Sequence, residues 1–184
     1  MTDGQQPAQQ ETNMTPEQRA QADATLLGQF NDSVRQSQEM LAKNGSPADK
    51  ARDIAFARSL LFLPAWHVVA CIVMEDGKPQ PKRLAMIEVR DAQGQPCPSL
   101  AVFTTLTLAA LEMPRMQIPI EGGSWAALSI PLESVIDWVD SMKIPAVSVV
   151  TQNGTMTPAC VLGLDFLKWV ATVEAESRKK VMGA

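Results

Sequence analysis

His67, Cys71, Cys97 and Cys160 are the chain's only imidazole and its three thiols, and any serine- or cysteine-type nucleophile would have to draw on them. Such chemistry needs a base within hydrogen-bond reach of the attacking group and free to exchange a proton. His67 lies between Trp66 and Val68 at the start of an apolar run, where strand alternation turns every second residue inward, so it reads as a structural or surface histidine. Cys71 and Cys160 sit in apolar surroundings and read as small buried hydrophobes. Cys97, between Pro96 and Pro98, is the thiol expected at the surface, and no histidine adjoins it in sequence. Zinc draws several Cys and His ligands together; His67 and Cys71 come four residues apart, but in a run expected to be extended, where that spacing does not build a ligand pair.

The carboxylates point the same way. Glu75-Asp76 falls in a turn signal, and Asp137 with Asp140 on the outer face of a helical pattern, so neither pair reads as acid/base machinery. Gly122-Gly123-Ser124 lacks the lysine and spacing of a phosphate loop. No catalytic residue, metal site or cofactor is assigned from these residues. What remains is apolar surface: Met113, Met116, Trp125 and Trp138 stand on or beside short loops and helix edges, and such side chains anchor protein contacts when they are not filling a core.

These side chains sit in a chain of 184 residues with a formal charge of −4. Binding that rests on neutralising phosphates needs clustered Lys and Arg, so nucleic acid is not the expected partner. Short basic groups occur at Lys82-Arg83, at a strand start, and Arg178-Lys179-Lys180, at a helix end. Three cysteines with distant spacings do not make a secreted disulfide framework and fit a reducing cytoplasm. The N-terminus has no basic and apolar signal-peptide pattern, and the apolar runs fall short of the roughly 20 residues that cross a bilayer. A soluble cytoplasmic protein without membrane attachment is expected.

The elements follow from periodicity and punctuation. Residues 1–14 are too polar to offset ordering entropy and are expected to form a disordered tail. Thr15-Pro16-Glu17-Gln18 offers a capping box for a helix to Lys43, with a narrow stripe of Leu27, Phe30, Val34 and Leu41. Asn44-Gly45 stops it, and Ser46-Pro47-Ala48-Asp49 restarts a second helix with Ser46 as cap and Ile54, Ala55, Leu61 and Phe62 as its buried positions. Trp66 to Met74, Arg83 to Val89 and Leu100 to Phe103 read as strands, the first two joined through Glu75-Asp76-Gly77 and the next turn at residues 91–94. Thr104 or Thr105 caps a helix that Met113-Pro114 should end. Gln117 to Ile120 and Ala126 to Ile130 are short extended segments, and Pro131 opens a helix with Leu132, Val135, Ile136, Val139 and Met142 as its stripe. Asn153-Gly154 is the sharpest hairpin signal, predicting a return strand from Met156 to Val161 before a final helix from about Gly163 to Met182. The fold class is α+β, with a mixed or largely antiparallel sheet, packed helices and an N-terminal helical hairpin.

Three of these segments carry a family resemblance. The helix Ala57-Arg58-Ser59-Leu60-Leu61-Phe62-Leu63-Pro64, the strand-to-helix step Ser99-Leu100-Ala101-Val102-Phe103-Thr104-Thr105 and the late strand and turn from Ser148 to Pro158 resemble, in that order, the N-terminal domain of the SseB family of bacterial proteins, named for enhanced serine sensitivity. The family's late Asn-Pro is Asn153-Gly154 here. The resemblance covers about residues 51–170 and implies an α+β module, assigned to residues 46–184, with a regulatory or binding role and no catalytic residues to carry over. The N-terminal hairpin is extra to the family, and its first helix, residues 15–45, is read as an accessory element. The function expected is a non-enzymatic protein-binding module of adaptor or immunity type, its partner another protein and its N-terminal helix a candidate for homo-oligomerisation. The competing expectation is a small-ligand domain or enzyme that uses Cys97 or His67.

Overall fold

The computed structural model describes residues 14–90, 93–116, 123–152 and 157–182. The first helix, α1 (Pro16–Lys43), starts as its sequence directs: the Gln18 N–H donates to the Thr15 hydroxyl at 3.2 Å, and the Thr15 N–H donates to the Gln18 side chain at 2.9 Å. It stops at Asn44, and Gly45 takes the left-handed conformation (φ 83°) that lets the chain reverse. The second helix, α2 (Ala48–Phe62), completes the N-terminal hairpin. Two details differ from expectation. Pro47 rather than Ser46 occupies the N-cap, with no side-chain hydrogen bond there, and Phe62 is 60% exposed because α2 turns Ala51, Ala55 and Leu60 inward instead.

The remaining elements are β1 (Trp66–Glu75), β2 (Lys78–Leu84), β3 (Met86–Arg90), β4 (Pro96–Phe103), α3 (Leu106–Met116), β5 (Gly123–Ile130), α4 (Leu132–Ser141), β6 (Ala146–Val150), β7 (Cys160–Gly163) and α5 (Leu164–Met182). The strands form one mixed sheet: β4 and β6 are parallel, and every other pairing is antiparallel. The chain is α+β, as expected from strands and helices that interleave irregularly with several hairpins.

Alternation along the strands divides the interior in two. On one face Trp66, Val68, Leu100, Val102, Val147 and Val149 meet α2, α4 and α5, together with Phe30 and Val34 of α1. Trp66 is fully buried there and its indole N–H donates to the Leu60 carbonyl at 3.0 Å. On the other face Val69, Ala85, Ala101, Phe103 and Val150 are covered by Leu108 and Ala109 of α3. The long first helix is therefore docked by two large buried side chains with the half-buried Leu26, Leu27 and Leu41 beside them, and most of its remaining surface is polar and open.

Three further expectations are corrected. Arg83 to Val89 is not one strand, because it breaks at Ala85 into β2 and β3. Pro114 does not end α3, which runs on to Met116; the proline forfeits one late hydrogen bond, and the Glu112–Arg115 ion pair spans the same turn. The return strand is Cys160–Gly163 rather than Met156 to Val161: Val149 pairs with Cys160, so the whole stretch from Val150 to Ala159 intervenes, too long for a two-residue hairpin. Asn153-Gly154 itself, like residues 1–13 of the expected tail and the extended segment at residues 117–120, lies outside the described residues.

Candidate functional site

The break at Ala85 shapes the sheet. Asp76 (φ 51°) and Gly77 (φ 74°) both take the left-handed backbone of a tight two-residue turn, which sets Glu75 opposite Lys78 and folds β2 back along β1. At Ala85 the chain leaves β1 for β4: its N–H donates to the Val69 carbonyl at 2.7 Å, while its own carbonyl accepts from the Ala101 N–H at 3.1 Å. Beyond that point β2 pairs only with β1 and β3 only with β4 among the described residues. The β1–β2 and β3–β4 ribbons are thus the two arms of a fork whose crotch is Ala85.

A cleft of about 650 Å³ opens at the crotch. Its apolar lining comes from four directions: Leu84 and Met86 from the strand on either side of Ala85, Met142 and Ile144 after α4, Met116 at the end of α3, and Trp125 from β5. Lys82, Arg83, Arg115 and Lys143 line the same space, and no carboxylate does among the described residues. In a chain of net charge −4, the cleft is a local concentration of positive charge.

Each cation is placed by a distinct local cause. Arg83 and Trp125 flank Cys71 in one row across β2, β1 and β5, since Cys71 pairs with both. Arg115 is held by Glu112, a carboxylate with no solvent exposure, through contacts of 3.2 and 3.4 Å from one guanidinium nitrogen. Lys82 pairs with Glu75 across the β1–β2 ribbon. Lys143 follows α4: its N–H donates to the Asp140 carbonyl at 3.0 Å and the Ile144 N–H to the Val139 carbonyl at 2.9 Å, the paired bonds of a helix end that usually takes glycine at the left-handed position. Lys143 occupies that position at φ 54°.

The four side chains singled out as partner anchors do not form one group. Met116 and Trp125 meet in the cleft, Met113 packs just behind them against the cluster under α3, and Trp138 lies on the opposite face of the sheet, partly buried against the main core. Sequence reasoning noted Lys82-Arg83 only as a strand start and passed over Arg115 and Lys143, because nothing in one-dimensional spacing brings a helix end, a second helix end and a strand break to one place.

His67 is buried, and its Nδ1 lies 2.9 Å from the hydroxyl of the exposed Ser129, its register partner on β5. Cys97 lies far along β4 from Phe103, the residue opposite His67, about 20 Å at the usual rise per strand residue. The two groups share no site. Cys160 is buried with its thiol 3.5 Å from an Asp53 carboxylate oxygen; burial, reinforced by that negative charge, pushes the thiol up to about 12 and keeps it protonated and inert. All three cysteines are free. Among the described residues no group of three His, Cys, Asp or Glu side chains could hold a metal ion, and no helix is long and apolar enough to cross a membrane. A second hollow of about 500 Å³ lies between the start of α1 and α3, with Arg19 as its single cation.

No protein-family model matches the chain, and neither a curated protein nor a solved structure matches it. The likeness to the SseB N-terminal domain rests on the short segments quoted above.

Proposed function

We propose that this protein is a non-enzymatic, cytoplasmic binding or regulatory module, of the adaptor or immunity kind that the SseB resemblance implies, and that it docks another protein at the fork in its sheet. The observation that carries the reading is the convergence of Met116 and Trp125, from α3 and β5, on one cleft where the strand pairing opens. Aromatic and methionine side chains at the centre of a concave surface are the groups that dominate contact energy when a partner excludes water around them. The rim supplies exposed cations that steer encounter and fix orientation.

The test is site-specific photo-crosslinking. A photoreactive phenylalanine analogue at position 125 should capture a discrete protein in cells, and the same analogue at the exposed Glu17 of α1 should not capture it; the purified partner should then bind the wild type and lose affinity for Met116→Asp. Capture from position 17 alone, or equal affinity for Met116→Asp, overturns the reading. A second reading is favoured by one contact, the buried His67 against the exposed Ser129 hydroxyl, which resembles half of a nucleophile and base arrangement. Labelling of Ser129 by a fluorophosphonate, abolished in His67→Gln, would establish that enzyme reading; an unlabelled wild type removes it.

A further inference from the structure

The geometry points to an acidic, extended segment of the partner protein as the occupant of the fork cleft, an inference that rests on the docking role proposed above and specifies its chemistry. Charge supplies the first argument. Lys82 and Arg115 already have carboxylate partners, but Arg83 and Lys143 are exposed and have no ion-pair partner among the described residues, so two cations face the cleft uncompensated in a chain that is otherwise acidic.

Strain supplies the second. Left-handed backbone is strained for a lysine and unstrained for the glycine that usually ends a helix in this way. Strained positions persist where surrounding structure forces them and gather at functional sites. Here the strained residue is one of the two uncompensated cations, and it brings to the lining of the cleft a charge that glycine would not supply.

Form supplies the third. The inner edge of β3 carries no strand partner among the described residues where the ribbons part, which is the arrangement an added peptide strand uses, with main-chain hydrogen bonds for affinity and flanking pockets for alternate side chains. The facing edge of β2 offers fewer donors, because Pro79 and Pro81 have no N–H. Met86 and Met142 are 37% and 41% exposed, so apolar lining of the cleft stands open to solvent. A chain segment with carboxylates toward Arg83 and Lys143 and apolar side chains toward Met116 and Trp125 satisfies both halves of the lining.

Fluorescence anisotropy tests this with a fluorescein-labelled decapeptide alternating aspartate and leucine, the matching lysine and leucine peptide, and a labelled oligothymidine. The acidic peptide should bind, weaken by about tenfold or more in the Arg83→Glu, Lys143→Gly double variant, and weaken with added salt, as exposed charge pairs do. The lysine peptide should not bind. No binding of the acidic peptide at millimolar concentration, equal binding of the lysine peptide, tighter binding of the oligothymidine, or an unchanged affinity in the double variant each overturns the inference. A partner captured at position 125 through a basic segment would overturn the acidic occupant alone and leave docking intact, whereas failed capture at that position sinks the docking role itself. Circular dichroism of the double variant keeps loss of fold from passing as loss of binding.

Discussion

Cys160 shows how one buried group ties stability to pH. Its thiol is raised from the ordinary value of 9.0 to about 12 by burial and by the Asp53 carboxylate, so between those two values the unfolded chain gives up its proton while the folded chain keeps it. Stability contributed by the protonated thiol is fully present below the unfolded pKa and drains away as pH rises from about 9 toward 12. Urea midpoints across that window should fall more steeply for the wild type than for Cys160→Ala, and parallel curves would refute the buried thiol. Lys143 makes a different residue-level prediction. Lys143→Gly removes about 1 kcal/mol of left-handed strain and regains a similar unfavourable chain entropy, so its melting temperature should stay at or above that of the wild type. Lys143→Val places a β-branched side chain at φ 54° and should cost about 1–3 kcal/mol. Thermal unfolding of the three proteins decides, and a destabilised glycine variant would mean that the lysine side chain holds the helix end together.

At the scale of elements, what the chain announces is what local chemistry controls. Thr15 to Gln18 encodes a cap because its donors and acceptors are neighbours in sequence, and Asp76-Gly77 encodes a reversal because its backbone preference is intrinsic. Every helix appeared where periodicity placed it. The misses lie where tertiary contacts overrule local preference: Pro114 is carried inside α3, Phe62 is turned outward, and one expected strand is split at Ala85 because two different neighbours claim its halves. The same contrast separates two substitutions in α1. Phe30 is 3% exposed in the main core, so Phe30→Ala should cost about 3–5 kcal/mol of global stability. Thr15→Ala removes a cap at an exposed end worth about 1 kcal/mol, which should appear as faster amide exchange in the first turn with little change in the global midpoint. Removal of residues 1–45 therefore tests the core as much as assembly: the truncated chain should unfold earlier, and an unchanged midpoint would show that Phe30 and Val34 contribute nothing.

The sheet packs a separate apolar cluster on each face, and no periodicity along the chain reveals which tryptophan belongs to which. Trp125 in β5 and Trp138 in α4 each stand between one polar and one apolar neighbour in a short element, yet the sheet sets them on opposite sides. Only the fork, created by pairings between residues distant in sequence, makes Trp125 part of a cleft and leaves Trp138 against the core. Trp138 packs on the cluster that carries α4 and α5, so Trp138→Ala should lower the urea midpoint through lost burial, by about 2–4 kcal/mol given its partial exposure, while the acidic decapeptide binds as before. Trp125→Ala removes one wall of the cleft from an edge strand, where the protein can relax around the gap; peptide affinity should fall by about tenfold, more than its stability suffers. Measured on the same two proteins, midpoint and affinity should move in opposite order. If Trp138→Ala lost the peptide and Trp125→Ala kept it, the partner would dock on the α4 face, and the fork would be only the place where two ribbons separate.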